Sequence, residues 1–373
     1  MATFPLNIAV VIGKMNGAGV ENSVLNHYRH MNHDVIHFDF ITCKSSQRIP
    51  YENIQAEGGR VFTVSDYSNP IAYYKDLKTL FRNNNYDIVH AHTTALSPIA
   101  LRAAKKCGVP VRIAHSRSSS GDKELFRNAV KRILKSRARK YATHCFACSA
   151  LAGKWLFGSL EGVEIWHNAS SLATFDYAEE TRKRIRSSLG ISESTFVLGN
   201  AGRLSAQKNQ GFLLEIFAEF KKKHADSILL IAGEGELETS LKHISKSLGV
   251  DNSVMFLGHR NDMADLYQAM DVFCLPSIYE GLPNVVIEAQ ASGLPCVLSD
   301  CITREVGATN IVRFVSLTDS SSKWVSAIEG LTTIERRSRV HELAAAGFEV
   351  EDAAKRYERF YVNAVNSIEK LKC

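Results

Sequence analysis

Several things are missing from this 373-residue chain, and each absence narrows what it can be. No apolar run approaches the roughly 18 residues that a membrane-spanning helix needs. The early apolar run at 6–12 passes straight into Gly13-Lys14-Met15-Asn16-Gly17 rather than a cleavage site, so the expected location is the cytoplasm. The eight cysteines form no paired framework, which leaves buried reduced thiols as the default. One CxxC exists, Cys145 and Cys148, but no second pair or nearby histidine pair completes a zinc site. No Asp-X-Asp occurs anywhere, which removes the obvious acidic anchor for a magnesium diphosphate. Neither a metal nor a cofactor is therefore expected. Solenoid repeats and low-complexity tracts are absent too.

Negative charge is missing locally. From Leu125 to Leu160 there is no acidic residue, while Arg127, Lys131, Arg132, Lys135, Arg137, Arg139, Lys140 and Lys154 fall there. Phe126, Val130, Ile133, Leu134 and Tyr141 recur at helical spacing, which predicts a basic amphipathic helix over 126–141. Such a helix suits an anionic membrane surface, and equally a core-packed helix with a solvated face. No aromatic platform or binding motif accompanies the charge, so nucleic acid is not expected as a partner.

What is present is alternation. Short apolar strands at 6–13, 35–42, 58–65, 86–93, 109–116, 144–149 and 163–169 alternate with helical patterns, then the alternation starts again near 195. This is the mark of parallel sheets covered by helices on both faces, an α/β fold built twice. The expected domains are 1–168 and 169–350, joined through a polar stretch between Asn168 and Ser194. A final long helix is expected at roughly 353–371, with Tyr357, Phe360, Tyr361, Ala364 and Ile368 on one stripe.

In such sheets ligands sit beyond the carboxyl ends of strands. Those loops carry Gly17 and Gly19 after the first strand, His115 after the fifth, and Arg203 and Lys208 at the start of the second domain. The richest stretch is 271–300, where a short strand leads to Glu280, Gly281 and Leu282, and Pro283 opens a helix carrying Asn284 and Glu288. The amides at that helix start suit an anion. Glu280 and Glu288 lie roughly 12 Å apart if the segment is helical throughout, a span that fits a nucleotide joined to a sugar. His90 and His92 alternate on a strand end, but no third ligand with sensible spacing is visible, so a metal there is discounted.

Glu280, seven residues, Glu288, then a small-residue helix end and Gly-Leu-Pro, resembles the E-X7-E element of the retaining GT-B glycosyltransferases of family 4. The stretch AGRLSAQKNQ is similar to that family's phosphate-binding segment. The resemblance implies two Rossmann-like domains facing across a cleft, with acceptor side first and donor side second, and a C-terminal helix crossing back. By it, Arg203 and Lys208 hold the donor diphosphate, Glu288 takes the ribose hydroxyls, and Glu280 with Gly281, Leu282 and Asn284 contacts the sugar. His115 matches a histidine that the family places beside the transferred sugar; Gly17 and Gly19 match its phosphate loop loosely, because Ala18 stands where a glycine is usual. The overall look is that of bacterial capsular and exopolysaccharide enzymes, which implies hexosyl transfer from a UDP-sugar to a lipid-linked glycan at the cytoplasmic face of the inner membrane. Three rivals remain at this point: a nicotinamide oxidoreductase using Gly17, Gly19 and Asp39, a non-catalytic sugar-nucleotide binder, and an epimerase or phosphorylase of the same architecture.

Overall fold

The structure is a computed structural model that describes residues 4–17, 19–119 and 134–370. The chain forms two compact units, Met1–Ala169 with Glu349–Cys373, and Ser170–Phe348.

In the first unit seven strands, β1 (Leu6–Gly13), β2 (Ile36–Cys43), β3 (Arg60–Val64), β4 (Ile88–Ala91), β5 (Val111–Ser116), β6 (His144–Ala147) and β7 (Val163–Ile165), form one sheet. Its order is β3-β2-β1-β4-β5-β6-β7 and every pairing is parallel. Both faces are buried, so the strands read as continuous apolar runs, yet the pleat still sorts them. Leu6, Ile8, Val10 and Ile12 enter the core on one face, while Ala9 and Val11 enter the core on the other.

The returning helix, Val350–Lys370, closes the first of these faces. Tyr357, Tyr361, Ala364 and Val365 are buried there among Ile8, Tyr28 and Phe38, and Phe360 packs against the same core. Trp166 lies between Phe146 and Tyr357, with ring centroids 4.6 and 4.4 Å away. Each such aromatic contributes on the order of 2–3 kcal/mol through the area it removes from water.

In the second unit β8 (Phe196–Ala201), β9 (Ser227–Ala232), β10 (Val254–Phe256), β11 (Val272–Leu275), β12 (Cys296–Ser299) and β13 (Val312–Val315) form a parallel sheet of order β10-β9-β8-β11-β12-β13. Strand order reverses once in each sheet, between β1 and β4 and between β8 and β11. At such a point successive crossovers leave in opposite directions, and the loops after the two strands border a crevice.

The polar stretch between Asn168 and Ser194 is not the linker that its composition suggests. It contains the helix Glu179–Ser188, which belongs to the second unit. Its packing is carried by guanidinium groups as well as apolar side chains, and that is why hydrophobic periodicity does not reveal it. Arg182 donates to the carbonyls of Gln268 and Met270 at 3.0 and 3.1 Å, and Arg186 to that of Ala269 at 2.9 Å. Arg336 adds bonds to the Tyr267, Gln268, Met270 and Ser292 carbonyls at 3.2, 2.9, 2.8 and 2.7 Å. Three arginines thus satisfy the orphan carbonyls and negative dipole end of the helix Met263–Ala269.

The cysteines within the described residues carry no disulfide. Most of the basic helix expected over 126–141 lies outside the described residues. Its last turns are interrupted, with a separate short helix at Ala138–Tyr141. Arg139 there is tied down by the carbonyls of Glu161 and Ser159 at 2.8 and 3.0 Å, and Lys135 sits 4.3 Å from the Trp155 ring centroid. Among the described residues no helix is long and apolar enough to cross a membrane.

Candidate active site

The second unit brings the two loops at its switch point together. β8 runs into Gly202, Arg203 and Leu204, and β11 into Pro276–Pro283. Lys208 Nζ lies 2.7 Å from Glu280 Oε1, and both side chains are largely buried, 14% and 10% exposed. Gln207 ties the same loops: its carbonyl accepts from the Ile278 amide at 2.8 Å, and its side chain donates to the Tyr279 carbonyl at 2.9 Å and to Glu280 Oε2 at 3.3 Å. Asn209, in the left-handed region at φ 56°, donates to the Pro276 carbonyl at 3.2 Å and opens the helix Gln210–Lys221. Gln207 and Asn209 fall inside the motif, but nothing in their spacing separates them from its flanking residues.

Glycines at positive φ shape these loops. A Cβ on Gly202, at φ +146°, would sit 2.9 Å from Lys208 Cε, so the lysine stem runs directly over this glycine. On Gly233, at φ +136°, a Cβ would fall 2.0 Å from the Gly202 carbonyl oxygen, where the loops after β8 and β9 touch. Arg203 is different. It is mostly exposed and pairs with Glu236 at 3.5 Å, on the surface rather than in the Lys208–Glu280 contact.

The site helix spans Asn284–Ala291. Pro283 is its N-cap rather than its first helical residue, because ψ of 109° keeps it extended. A proline cap offers no side-chain oxygen, so the first turn has no side-chain cap and its amides keep the positive end of the dipole. Asn284 stands in that turn, and its side-chain oxygen is buried without a hydrogen bond among the described residues. Gly281 and Leu282 are buried in the loop just before it. Gly293, at φ +65°, ends the helix as its sequence position suggests.

Glu288 lies further along and meets a different partner. The hydroxyl of Tyr267, a fully buried side chain, donates to Glu288 Oε2 at 3.0 Å. Burial raises the Glu288 carboxyl to about 7, against the opposing effect of that hydrogen bond. Tyr267 itself is pushed well above the ordinary phenol value, first by burial and then by the Glu288 charge. The two glutamates are therefore unlike: one is paired with an ammonium, the other held by a phenol.

In the first unit His115 lies within β5, one residue before its end, rather than in the loop after it, and is completely buried. His90 Nε2 and His115 Nδ1 are 3.0 Å apart, and His90 Nδ1 is 2.8 Å from the Tyr361 hydroxyl on the returning helix. Arg117 donates from Nε to His92 Nδ1 at 3.0 Å and from Nη1 to Asn168 at 2.6 Å. An arginine can only donate, so His92 carries its proton on Nε2. All three imidazoles are held neutral, with values well below the ordinary histidine range. Burial is the largest cause, and Arg117 and the neighbouring rings add to it.

The third ligand that spacing fails to show beside His90 and His92 is His115: their nitrogens lie within 4.8 Å of one another. His90 stacks on His92 at 4.1 Å and lies nearly parallel to His115, and the Arg117 cation is bonded to His92.

After β1, Gly17 adopts φ +79° beside the Arg48 stem, and Gly19 begins the helix Gly19–Arg29. A residue not singled out from the sequence orders this loop: Glu21, 3% exposed, accepts from the Asn16 amide at 2.9 Å. Asp39, the acid that a nicotinamide fingerprint requires, is committed elsewhere. It is fully buried and bound by Arg60 at 2.8 and 2.7 Å, Tyr86 at 2.7 Å and His37 at 3.0 Å, so it cannot take ribose hydroxyls.

Comparison with known proteins shows the family. Residues 17–170 match the family Glycosyltransferase Family 4, and residues 181–342 match Glycosyl transferases group 1. The chain is 32% identical over 357 residues to a Bacillus subtilis (strain 168) protein named glycosyltransferase EpsF, covering 91% of this chain and 92% of that one. It is 28% identical to an Escherichia coli UDP-Gal:alpha-D-GlcNAc-diphosphoundecaprenol alpha-1,3-galactosyltransferase, over 76% of each chain. Among solved structures, Anabaena Alr3699/HepE in complex with UDP-glucose superposes with a TM-score of 0.73 at 17% identity, covering 98% of this chain and 99% of that one.

Proposed function

Since the chain belongs to glycosyltransferase family 4 and has the GT-B fold, we propose that it transfers a hexosyl unit from a UDP-sugar to a hydroxyl of a lipid-linked glycan, with retention at the anomeric carbon, in capsule or exopolysaccharide synthesis. The observation that carries this reading is the Lys208–Glu280 contact of 2.7 Å at the switch point of the second sheet, next to a helix start with no side-chain cap.

In this reading the second unit holds the donor. Lys208 and Arg203 meet the diphosphate, a point charge and a forked donor, with the backbone at Gly281 and Leu282 and the first turn at Asn284 beside them. Gly17 and Gly19, in the loop after β1, offer backbone contacts to phosphate. Glu288 takes the ribose hydroxyls, and Glu280 binds a hydroxyl of the sugar. His115 hydrogen-bonds the sugar. As the bond from the anomeric carbon to the phosphate oxygen breaks, charge builds on the diphosphate, where the Lys208 ammonium stabilises it without a metal ion. The acceptor oxygen bonds the same face of that carbon and its proton passes to a donor phosphate oxygen, so the leaving group is also the base. Support for a UDP-sugar and a lipid-linked acceptor comes from what the relatives are named for. Contact with an anionic surface at the cytoplasmic face is proposed from the basic charge of 126–141.

The test is a panel of nucleoside diphosphate sugars, first for thermal stabilisation of the native protein and then for transfer to undecaprenyl-diphosphate-linked sugars. A UDP-sugar should stabilise it and give an α-linked product in chelator-treated buffer. Free epimerised donor in place of glycoside would make the protein an epimerase. Stabilisation without any turnover would make it a binding module. Loss of activity with chelator, restored by manganese, would remove the metal-free mechanism.

A further inference from the structure

Glu288 has a sparser set of partners than Glu280. Its side chain is partly exposed, and among the described residues its carboxylate meets no cation and one polar side chain, the Tyr267 phenol, which donates to Oε2 at 3.0 Å. An ionised carboxylate can only accept, so while Glu288 is charged this contact has a single direction.

Tyr267 is fixed in place for that contact. Its side chain is 0% exposed, and its ring centroid lies 5.9 and 6.1 Å from those of Phe273 and Phe175. Among the described residues Glu288 is the one partner of its hydroxyl. The backbone is held as well. Arg336 Nη2 donates to the Tyr267 carbonyl at 3.2 Å and to the Ser292 carbonyl at 2.7 Å, and Ser292 is the C-cap of the site helix. One guanidinium therefore ties the helix that carries the phenol, Met263–Ala269, to the helix that carries the carboxylate, Asn284–Ala291. The phenol is thus delivered to Glu288 by a packed ring on an anchored backbone. A glutamate side chain is flexible by contrast, and ordering it on a ligand costs affinity.

We propose that Tyr267 is a positioning residue for the donor: its phenol pins Glu288 by Oε2, which leaves Oε1 to accept from the hydroxyls of a ribose. This rests on the reading that Glu288 takes the ribose, and deepens it by naming the group that holds the acceptor in place before the nucleotide arrives. Tyr267 itself touches no part of the donor. Its effect belongs to the ribose hydroxyls alone, and the diphosphate is bound without it.

The experiment is a binding cycle with UDP and 2′,3′-dideoxy-UDP, measured by calorimetry on the full chain at about pH 9, where Glu288 is ionised. The wild type should prefer UDP by roughly tenfold or more, because hydroxyl bonds to a charged acceptor are lost with the dideoxy sugar. Tyr267→Phe keeps the ring and removes the hydroxyl. It should cut that preference roughly three- to tenfold by weakening the UDP complex, and leave the affinity for dideoxy-UDP as it was. A general loosening of the fold weakens both nucleotides together, so an unchanged or larger preference for UDP in the variant would overturn the proposal. A measurement on the wild type decides the matter even if the variant does not fold. With carbon-13 at the tyrosine Cζ atoms, the Tyr267 hydroxyl proton, identified by its shift in Glu288→Gln, should remain hydrogen-bonded when UDP binds, and its release on binding would also overturn the proposal. Failure of the underlying reading looks different: a wild type that binds both nucleotides equally, or a Glu288→Gln variant with the full preference for UDP, would remove Glu288 from the ribose and the proposal with it.

Discussion

Lys208 and Glu280 stand 2.7 Å apart, so the cation proposed for the diphosphate and the carboxylate proposed for the sugar are each other's counter-ions. Neither is left as an uncompensated buried charge, and both are held where a ligand with phosphate and hydroxyl groups would share them.

Removing either partner should have different consequences. Lys208→Ala is expected to weaken UDP binding by about tenfold or more, because a charge-assisted contact to phosphate is lost, and to reduce kcat as well. Glu280→Gln should bind UDP nearly as well as the wild type yet lose most transfer. Calorimetric titration with UDP beside steady-state turnover separates these patterns, and equal loss of UDP affinity in both variants would contradict the division of roles.

Glu288 is expected to make donor binding depend on pH. Its folded value of about 7 lies above that of an unfolded glutamate, so between roughly pH 4.5 and 7 the native state holds the extra proton. For this group alone, stability is highest below about pH 4.5 and falls as pH rises through 7. Ribose hydroxyls donate to the ionised carboxylate, so UDP affinity should rise as pH increases through about 7, and binding below that pH should release a proton. Titrations in buffers of different ionisation enthalpy measure the release. Glu288→Gln should bind more weakly with a flat profile, and an unchanged profile would refute the assignment.

Gln207 should matter to the donor without touching it. Its side chain spans the Tyr279 carbonyl and Glu280. Gln207→Ala removes both contacts and leaves the backbone bond to Ile278, so donor KM is expected to rise roughly threefold to tenfold with a small loss of stability. Steady-state kinetics with thermal denaturation checks this; a variant with wild-type KM would show that the loops need no such tie.

Arg336 should matter to stability. Burial lowers its guanidinium to about 10, yet it still bridges four carbonyls. Arg336→Ala would remove its bonds to the Tyr267 and Ser292 carbonyls and leave those of Gln268 and Met270 to Arg182 alone, and should cost about 2–4 kcal/mol in denaturant unfolding. Lysine, a compact point charge, cannot span all four and should recover only part of the loss.

The two sheets, the strand-end loops and the E-X7-E helix are legible in the sequence because each is written within a few consecutive residues. Parallel strands buried on both faces give unbroken apolar runs, and motif spacing carries the rest. The helix Glu179–Ser188 is not legible, because its contacts are arginine forks reaching carbonyls about 80 residues away. Nor is the convergence of His90, His92 and His115. It requires knowing that β4 lies beside β5 with His90 opposite Ile113, a register that neither strand encodes alone. Tyr267 and Tyr361 read as ordinary core aromatics, and only coordinates reveal the polar atom at the end of each ring. Pro283 shows the limit on boundaries: its residue type announces a helix start but does not distinguish the cap from the first turn.

The returning helix bears on biosynthesis. When residue 169 leaves the ribosome, one face of the seven-stranded sheet still lacks Tyr357, Phe360 and Tyr361, which will cover it. The middle segment, 170–348, contains its complete core, and during translation it can mature while the earlier part waits with Trp166 and Phe38 uncovered. A nascent chain halted shortly before position 350 should therefore be a target for chaperones and proteases at its older end, not its newer one.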